Sequence, residues 1–415
     1  MSELARPDTH RFGVVRLPDQ VLFGAGSLRS IPSLAAAHGK RMLICTDPTM
    51  ATSAGLTTLL ADLKHAGFIV AVFDRGIPEL PLSVIDESAR MAEEFQPDVI
   101  LGFGGGSSID LAKATALLLK YPGPLSQYYG EHLVPGPVCP LIAVPTTSGT
   151  GSEVTPVAVV ADPERELKVG ISSPFLIPTY AVCDPQLAIG CPPSVTAHAG
   201  IDALAHAVEA ITASEQTPHW PERLPVFVGS NSLGSAMSLQ SISAIGSSLR
   251  VVMADPGNEQ ARASMAYGSM CAGISFGAAG THLAHALQYA VGAATHTPHG
   301  LGVGLLLPYV LQATRSGCLP ALAAVGEALG LPVETDPVDA AQNVIDEIHA
   351  LCADIGLPQT LKDLGVERAV LPTFAAQTAA VTRLVRNAPV TADEDLLREI
   401  LEAAWSGDRA RLVSM

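Results

Sequence analysis

The chain has 415 residues, of which 48% are hydrophobic and 15% charged, so it is long enough for two domains with sizeable cores. Its formal net charge of −16 argues against nucleic acid or an anionic membrane surface as a partner. No apolar run approaches the roughly 20 residues of a membrane helix, and the N-terminus lacks the apolar stretch of a signal peptide. The seven cysteines form no CxxC pair, so no disulfide framework or zinc ribbon is indicated. We therefore expect a cytoplasmic protein.

Two kinds of sequence pattern divide the chain. Until about residue 195, strand-like runs alternate with helical patterns, which is typical of a mainly parallel sheet with helices on its faces. From Thr196 onward, long Ala-, Leu- and Ser-rich segments predict helices to the C-terminus. We expect an α/β domain over residues 1–195 and an all-helical domain over 196–415. The clearest predicted strands are 42–46, 68–73, 99–103 and 141–144.

A glycine-rich turn follows the third of these strands. Gly104, Gly105 and Gly106 precede a helical pattern, and glycines let a pyrophosphate approach the main chain without a Cβ in the way. Ser107 and Ser108 fall at the start of that helix, where unpaired N–H groups and the helix dipole favour a phosphate. One such turn is a weak signal, because triple glycines also occur in plain loops.

A second loop with the same preference for anions follows the fourth strand. It places Thr146, Thr147 and Ser148 among glycines, so hydroxyl groups and accessible main chain again face a prospective phosphate. Two loops of this kind after apolar strands indicate a dinucleotide.

One aspartate and three histidines are spaced as metal ligands. Asp202 and His206 are four residues apart in a helix-favouring run, so their side chains fall on one face. His285 and His299 are separated by enough chain for the end of a helix and a short Thr-Pro turn. One carboxylate and three imidazoles suit Fe(II) or Zn(II). Taken singly, each could be an ordinary helix residue, and it is the nucleotide loops that favour a metal.

Four motifs together resemble the iron-containing, or group III, alcohol dehydrogenase family. They are, in family order, GGGSSID at 104–110, PTTSGTGSEVT at 145–155, GIDALAHAVEA at 200–210 and PHGLGVGLLLPYV at 298–310. The resemblance implies a Rossmann-like α/β domain that binds NAD(P), an all-helical domain in a dehydroquinate synthase-like fold, and a metal in the cleft between them. The family's metal ligands, carried over by motif, are Asp202, His206, His285 and His299.

Three positions bear on the choice of nicotinamide cofactor. Asp47 ends the first predicted strand, where a carboxylate accepts hydrogen bonds from a ribose and repels a 2′-phosphate, although an aspartate before proline is equally typical of a turn. The resemblance favours NAD, because family members with aspartate here use NAD. Lys168 matches the family's cofactor-side lysine, or is a solvated charge at a strand edge. Leu80 stands where relatives often have asparagine, and it cannot make the amide's contact.

The ligand set and the resemblance predict metal-dependent hydride transfer between NAD and a primary alcohol or hydroxyacid, a small-molecule substrate. Tyr289 stands where many relatives carry a catalytic histidine. The substrate proton therefore leaves through water, through Tyr289 or through His296, which is otherwise a histidine that only lies near the site or on the surface. We expect a homodimer or a higher homo-oligomer.

The substrate is less well defined by sequence. Residues 214–234, with Trp220, form either a cap over the active site or a plain surface loop. KVGISS, VFVGSN and Tyr289 also resemble the hydroxyacid–oxoacid transhydrogenase branch, whose members act on 4-hydroxybutyrate-like substrates, but Arg223 is the only arginine nearby to clamp carboxylates. Enzymes of the same fold that act on phosphorylated substrates would need a basic cluster, and Lys+Arg number only 24. Ordinary alcohol chemistry is the first prediction.

Overall fold

The computed structural model describes residues 11–165, 167–220 and 222–413. The chain divides into two compact units. Among the described residues, one unit spans Arg16–Cys191, and the other contains residues 11–15 together with those from Pro192 onward. Within the described ranges, no helix has both the length and the apolar character needed to cross a membrane.

The first unit is built on two sheets. The strands are β1 Gln20–Phe23, β2 Arg41–Cys45, β3 Ile69–Phe73, β4 Val99–Gly104, β5 Gly130–Glu131, β6 Leu141–Pro145, β7 Val157–Val160, β8 Val169–Ser172 and β9 Tyr180–Cys183. A parallel sheet has the order β1-β9-β6-β4-β2-β3. A small sheet has the order β5-β8-β7, in which β7 and β8 are antiparallel, a pairing that the alternating pattern did not predict.

Helices cover both faces of the parallel sheet. Successive residues of a strand point to opposite faces, so Leu43 and Ile100 pack in one apolar cluster while Ile44 and Leu101 pack in the other. This double burial explains why the central strands are continuous apolar runs. The Rossmann-like α/β prediction is confirmed. The helices are α1 Ile31–Ala36, α2 Pro48–Ala51, α3 Ala54–His65, α4 Leu82–Phe95 and α5 Gly106–Lys120.

The strand order reverses between β2 and β4. From β2 the chain continues to β3 on one side of the sheet, and from β4 it continues to β6 on the other. In open parallel sheets, ligands bind outside the carboxyl ends of the strands at such a point. Asp47 follows β2 and the glycine turn follows β4, so both predicted cofactor elements lie at this reversal.

The second unit is helical, as predicted. Its core helices α6 and α10 are buried along most of their length, because alanine, glycine and leucine dominate both and leave few polar groups to solvate. The helices are α6 Pro193–Thr212, α7 Ser232–Ala254, α8 Glu259–Ala279, α9 Leu283–Thr295, α10 His299–Thr314, α11 Leu319–Ala328, α12 Pro337–Asp354, α13 Leu371–Ala379, α14 Thr382–Arg386 and α15 Glu394–Ser406.

Candidate metal centre and nucleotide-binding loops

Helix α6 carries a polar stripe through an apolar core. Residues 200–212 are all buried, yet Asp202, His206, Glu209 and Thr212 recur at intervals of three or four residues, which places them along one helix face. Burying a polar side chain costs free energy unless it has a partner. The stripe therefore requires polar groups, or a cation, opposite it.

The opposing groups come from α9 and α10. His285 lies in the first turn of α9, and His299 is the first residue of α10, directly after Pro298. His296 ends α9 in a left-handed conformation, with φ 54°. Gly300 lets α10 begin against α6, since a Cβ there would lie 2.1 Å from the carbonyl oxygen of His198. The Thr-Pro turn predicted between the two helices is present.

The four predicted ligands meet within the helical unit. Ligand atoms of Asp202, His206 and His285 all lie within 4.8 Å of one another. His285 Nε2 is 3.6 Å and His299 Nε2 is 3.8 Å from Asp202 Oδ1, too long for hydrogen bonds. The first three side chains are buried, whereas that of His299 is 35% exposed, so one side of the cluster is accessible.

The cluster fits a divalent cation. Among the described residues, Asp202 Oδ1, His206 Nδ1 and His285 Nε2 are buried without a hydrogen-bond partner, and orphaned buried polar atoms are rare and costly. A carboxylate oxygen with imidazole nitrogens is a donor set that binds Fe(II) or Zn(II). A cation bound to both Asp202 Oδ1 and His285 Nε2, which lie 3.6 Å apart, would satisfy these two atoms together.

The electrostatics of the cluster favour the metal-binding protonation states of Asp202 and His206 but not of His285. Burial alone would raise the pKa of Asp202, but the imidazoles of His206 and His299 outweigh it and hold that pKa well below its usual range. Burial lowers the pKa of His206 to about 4, and its ring stacks on Phe276 with centroids 4.1 Å apart. A carboxylate and a neutral imidazole are the ligating forms. Burial lowers the pKa of His285, but Glu209 and Asp202 outweigh it and raise that pKa to about 9, so a metal would bind there in exchange for a proton.

Glu209 was missed by the sequence analysis. Its fully buried carboxylate accepts hydrogen bonds from His285 Nδ1 at 2.6 Å and from the backbone N–H groups of His282 and Ala284 at 3.0 and 2.7 Å. These contacts fix the start of α9 and direct Nε2 of His285 towards Asp202. The seven-residue spacing from Asp202 to Glu209, two helical turns, is the sequence signal that would have found it.

A second imidazole continues this network. His282 Nδ1 lies 3.2 Å from Glu209, and His282 Nε2 is hydrogen-bonded to Thr212 Oγ1 at 3.0 Å. The Glu209 and Thr212 part of the stripe is thus matched by residues at the start of α9.

Two further candidates differ in exposure. Tyr289 is half-buried one turn after His285, and its ring centroid lies 6.3 Å from that of His299. His296 is exposed. Both proton-relay roles stay predictions.

In the α/β unit, the two predicted loops touch each other. Gly104 has φ +146°, and a Cβ there would lie 2.5 Å from Ser108 Oγ, so glycine is needed for this close turn. Thr146 N donates to Gly104 O at 2.9 Å. A Cβ at Gly106 would lie 2.6 Å from the side chain of Thr150.

The remaining loop residues lie around this contact. Gly105 precedes α5, and Ser107 is in its first turn. A Cβ on Gly105 would lie 3.5 Å from Thr147, and Ser148 follows in the same loop. The main chain is therefore accessible where α5 begins.

The two carboxylate oxygens of Asp47 have different surroundings. Its Oδ1 accepts from the N–H groups of Thr49 and Met50 at 2.9 and 3.0 Å and so caps α2. Its Oδ2 takes no part in this cap and lies 3.4 Å from a Cβ position built on Gly104. The turn interpretation is correct for one oxygen, and the ribose interpretation stays a prediction for the other.

Lys168 forms an ion pair with Glu79, the residue before Leu80. Lys168 Nζ lies 3.2 Å from Glu79 Oε1. Glu79 and Leu80 have φ of 68° and 51°, and Leu80 is 1% exposed within the sheet's apolar cluster. Leucine here supplies packing where relatives often supply an amide.

The first part of the segment after α6 lies at the surface of the helical unit, whereas Val226, Phe227 and Val228 further along it are buried. Trp220 is 68% exposed and meets Phe12 edge-on with centroids 6.0 Å apart. Glu215 pairs with Arg11 at 2.8 Å. These contacts join the segment to the N-terminal part of the chain.

Comparisons with known proteins identify the family of this chain. The family model described as iron-containing alcohol dehydrogenase matches residues 18–185, and the model of the family's C-terminal part matches residues 196–405. Long-chain-alcohol dehydrogenase 1 of Geobacillus thermodenitrificans is 33% identical over 92% of this chain and 94% of its own. 1,3-Propanediol dehydrogenase of Klebsiella pneumoniae is 34% identical over 81% and 84%.

Solved structures extend the similarity to the fold. A crystal structure of a 1,3-propanediol oxidoreductase superposes with TM-score 0.88 and 31% identity, covering 95% of this chain and all of that one. Sulfoacetaldehyde reductase from Bifidobacterium kashiwanohense, solved in complex with NAD+, superposes with TM-score 0.81 and 25% identity over 95% and 98%. The chain therefore belongs to the iron-containing alcohol dehydrogenase family.

Proposed function

We propose that this chain catalyses the metal-dependent, NAD(H)-linked interconversion of a primary alcohol and its aldehyde. The observation that carries the proposal is the buried group Asp202, His206 and His285, whose ligand atoms lie within 4.8 Å of one another, in a chain whose other unit has a dinucleotide-binding topology. The relatives named as alcohol and propanediol dehydrogenases share this class of reaction.

The metal and the cofactor would be held by different units. Asp202, His206, His285 and His299 would hold Fe(II), for which Zn(II) is the alternative. The bound metal would supply Lewis acidity that lowers the pKa of a substrate hydroxyl, and NAD would accept the hydride.

The chain's own residues supply orientation and charge. Glu209 keeps the Nδ1 proton of His285 in place, so that Nε2 remains a ligand. Asp202 remains ionised beside neutral His206 and lowers the positive charge of the loaded site. Tyr289 forms part of the wall beside His299, and the substrate proton leaves through water.

The cofactor would be bound mostly by main chain. The N–H groups at the start of α5 and the hydroxyls of Thr146, Thr147 and Ser148 would meet the pyrophosphate. Asp47 Oδ2 would accept from the adenosine ribose and disfavour a 2′-phosphate, which supports NAD over NADP. Lys168, balanced by Glu79, would lie on the cofactor side.

A steady-state assay on metal-quantified protein tests the proposal. Protein reconstituted anaerobically with Fe(II) should reduce NAD with primary alcohols and oxidise NADH with the matching aldehydes. An enzyme with full metal that turns over neither series would contradict it. Oxidation of 4-hydroxybutyrate only when a 2-oxoacid is present, without release of NADH, would instead establish the transhydrogenase alternative.

A further inference from the structure

A buried ionic cluster lies on α5 behind the glycine turn, and the function proposed above does not use it. The Lys113 side chain is 0% exposed, and its Nζ donates to the carbonyl oxygens of Thr155 and Val157 at 2.9 and 2.8 Å. Asp110 Oδ1 lies 3.9 Å from the same Nζ. Glu153 is also buried and close enough to interact electrostatically with Lys113.

Asp110 attaches the same helix to both ends of the following segment. Its Oδ1 accepts from Ser152 Oγ at 2.5 Å, and its Oδ2 accepts from Val159 N at 2.9 Å. Ser152 belongs to the hydroxyl-rich loop and Val159 belongs to β7. The helix that begins at the glycine turn is therefore tied by side chains to the loop that begins at Thr146.

The contacts between the α5 segment and the segment from Thr146 to β7 occur in the same order along both segments. Near the sheet they consist of the backbone hydrogen bond between Gly104 and Thr146 and the packing of Thr150 against Gly106. Further along, the contacts are charged and directional, which fixes distance and angle. In chain order the pairs are Gly104 with Thr146, Gly106 with Thr150, Asp110 with Ser152, and Lys113 with Thr155.

The buried charges of the cluster are expected to contribute little net stability to the fold. Burial lowers the pKa of Lys113 to about 8 and raises the pKa of Glu153 to about 7, which reflects the desolvation of each charge. Replacing buried ion pairs by apolar residues is often neutral or stabilising, whereas their directional bonds select one arrangement. The arrangement selected here is that of the two loops.

We propose that Asp110, Lys113 and Ser152 are positioning residues for the dinucleotide, because they hold the start of α5 and the 146–152 loop in register around the pyrophosphate. The proposal rests on the NAD-linked function proposed above. It assigns to Asp110 and Lys113 of α5 an effect on cofactor affinity that acts through their contacts with the 146–152 loop and β7.

The test measures NAD binding and turnover separately on the metal-loaded, full-length protein. Lys113→Met keeps the length of the side chain and removes its charge and donors. It should raise both the Kd and the KM for NAD about tenfold, equivalent to about 1.4 kcal/mol, while kcat at saturating NAD stays within about threefold. Ser152→Ala, a milder change that removes one hydrogen bond, should raise the Kd about fivefold and carries the test if Lys113→Met does not fold.

Thr115→Val is the matched control. Thr115 lies on the same helix and is also 0% exposed, but its hydroxyl bonds to Ser88 and Leu111 and not to the loop. This variant should lower the Tm and leave the Kd for NAD within about twofold. Wild-type Kd values in Lys113→Met and Ser152→Ala, or an equal loss in Thr115→Val, would overturn the positioning role alone. A wild-type protein that binds no NAD would overturn the proposed function together with it.

Discussion

The helical unit and the α/β unit form their candidate sites from different parts of the chain. In the helical unit, the ligands are side chains on three helices, and a buried carboxylate orients one of them. In the α/β unit, the candidate site is built on a glycine turn and a second loop, where glycines let the backbone approach its neighbours closely. A single substitution of a ligand should therefore abolish metal binding, whereas a single substitution near the backbone site should only weaken NAD binding.

The largest effect is expected at a metal ligand. His285→Ala removes one of four donors, so bound metal should fall to background and turnover with it, while the Kd for NAD stays within about twofold because the cofactor loops lie in the other unit. Elemental analysis and NAD titration measure the two quantities. His349→Ala, a half-buried histidine of α12, is the control. Full metal occupancy in His285→Ala would show that the ligand set is wrong.

A smaller loss is expected when only the orientation of that ligand changes. Glu209→Gln keeps the shape but replaces one acceptor oxygen by a donor amide that faces N–H groups, so metal affinity should fall about 10- to 100-fold. Thr212→Val is the milder control, since the Thr212 hydroxyl bonds to His282 and not to His285. It should lower metal affinity by less than about threefold. Chelator competition measures both, and equal losses would contradict the role of Glu209.

Asp47 tests whether a side chain matters at the backbone site. Asp47→Gly should raise the preference for NADP over NAD about tenfold or more, because it deletes a ribose acceptor and a charge that repels phosphate. Asp47→Ser removes the charge but keeps an N-cap for α2, so it should change cofactor preference with less loss of Tm. If kcat/KM ratios for the two cofactors stay unchanged in both variants, Asp47 is only a helix cap.

Tyr289 tests whether the metal centre needs a side chain to carry the proton. If water carries it, Tyr289→Phe should change kcat/KM by less than about tenfold, or about 1.4 kcal/mol. The ratio should be followed across pH, with Tyr267→Phe, a half-buried tyrosine of α8, for comparison. A loss of about a hundredfold together with the disappearance of an alkaline limb would assign the relay to Tyr289.

The last prediction concerns stability and not activity, and it involves the buried charges of the α/β unit. The pKa of Glu153 is about 7 in the folded chain against an ordinary 4.5, so between these values the folded protein keeps a proton that the unfolded chain releases. Stability therefore falls as pH rises through this window. Glu153→Gln has no carboxyl group at this position and should not lose stability in this way. The difference in free energy of unfolding between Glu153→Gln and wild type should therefore increase by about 1.4 kcal/mol for each pH unit.

Urea unfolding between about pH 5 and 7 measures this difference. The exposed Glu94→Gln on α4 is the control and should run parallel to wild type. A difference between Glu153→Gln and wild type that does not change with pH would contradict the raised pKa.

Much of the candidate site could be predicted from the sequence, because the patterns that indicate it involve residues close together in the chain. The four-residue step from Asp202 to His206 places both on one helix face whatever surrounds the helix. The Thr-Pro turn before His299 follows from proline's restricted backbone. The four predicted strands each agree with an observed strand to within one residue at either end, because short apolar runs between glycine and proline have few alternatives.

Other features depended on contacts between distant residues. Glu209 meets His285 across 76 positions, and Lys113 meets Thr155 across 42. The same is true of three further features: the antiparallel pairing of β7 with β8, the burial of Leu80 where relatives often have an amide, and the grouping of residues 11–15 with the helical unit. No periodicity identifies the partners of such residues.

By itself, the sequence determined which residue types could bind a metal and where the backbone could approach a dinucleotide, since helical spacing and glycine turns act within a few residues. Only the tertiary structure decided which buried carboxylate orients His285 and which charges hold the two loops together. The physical reason is that a buried charge is tolerated only beside its partners, and the folded chain, not the local sequence, determines which groups become neighbours.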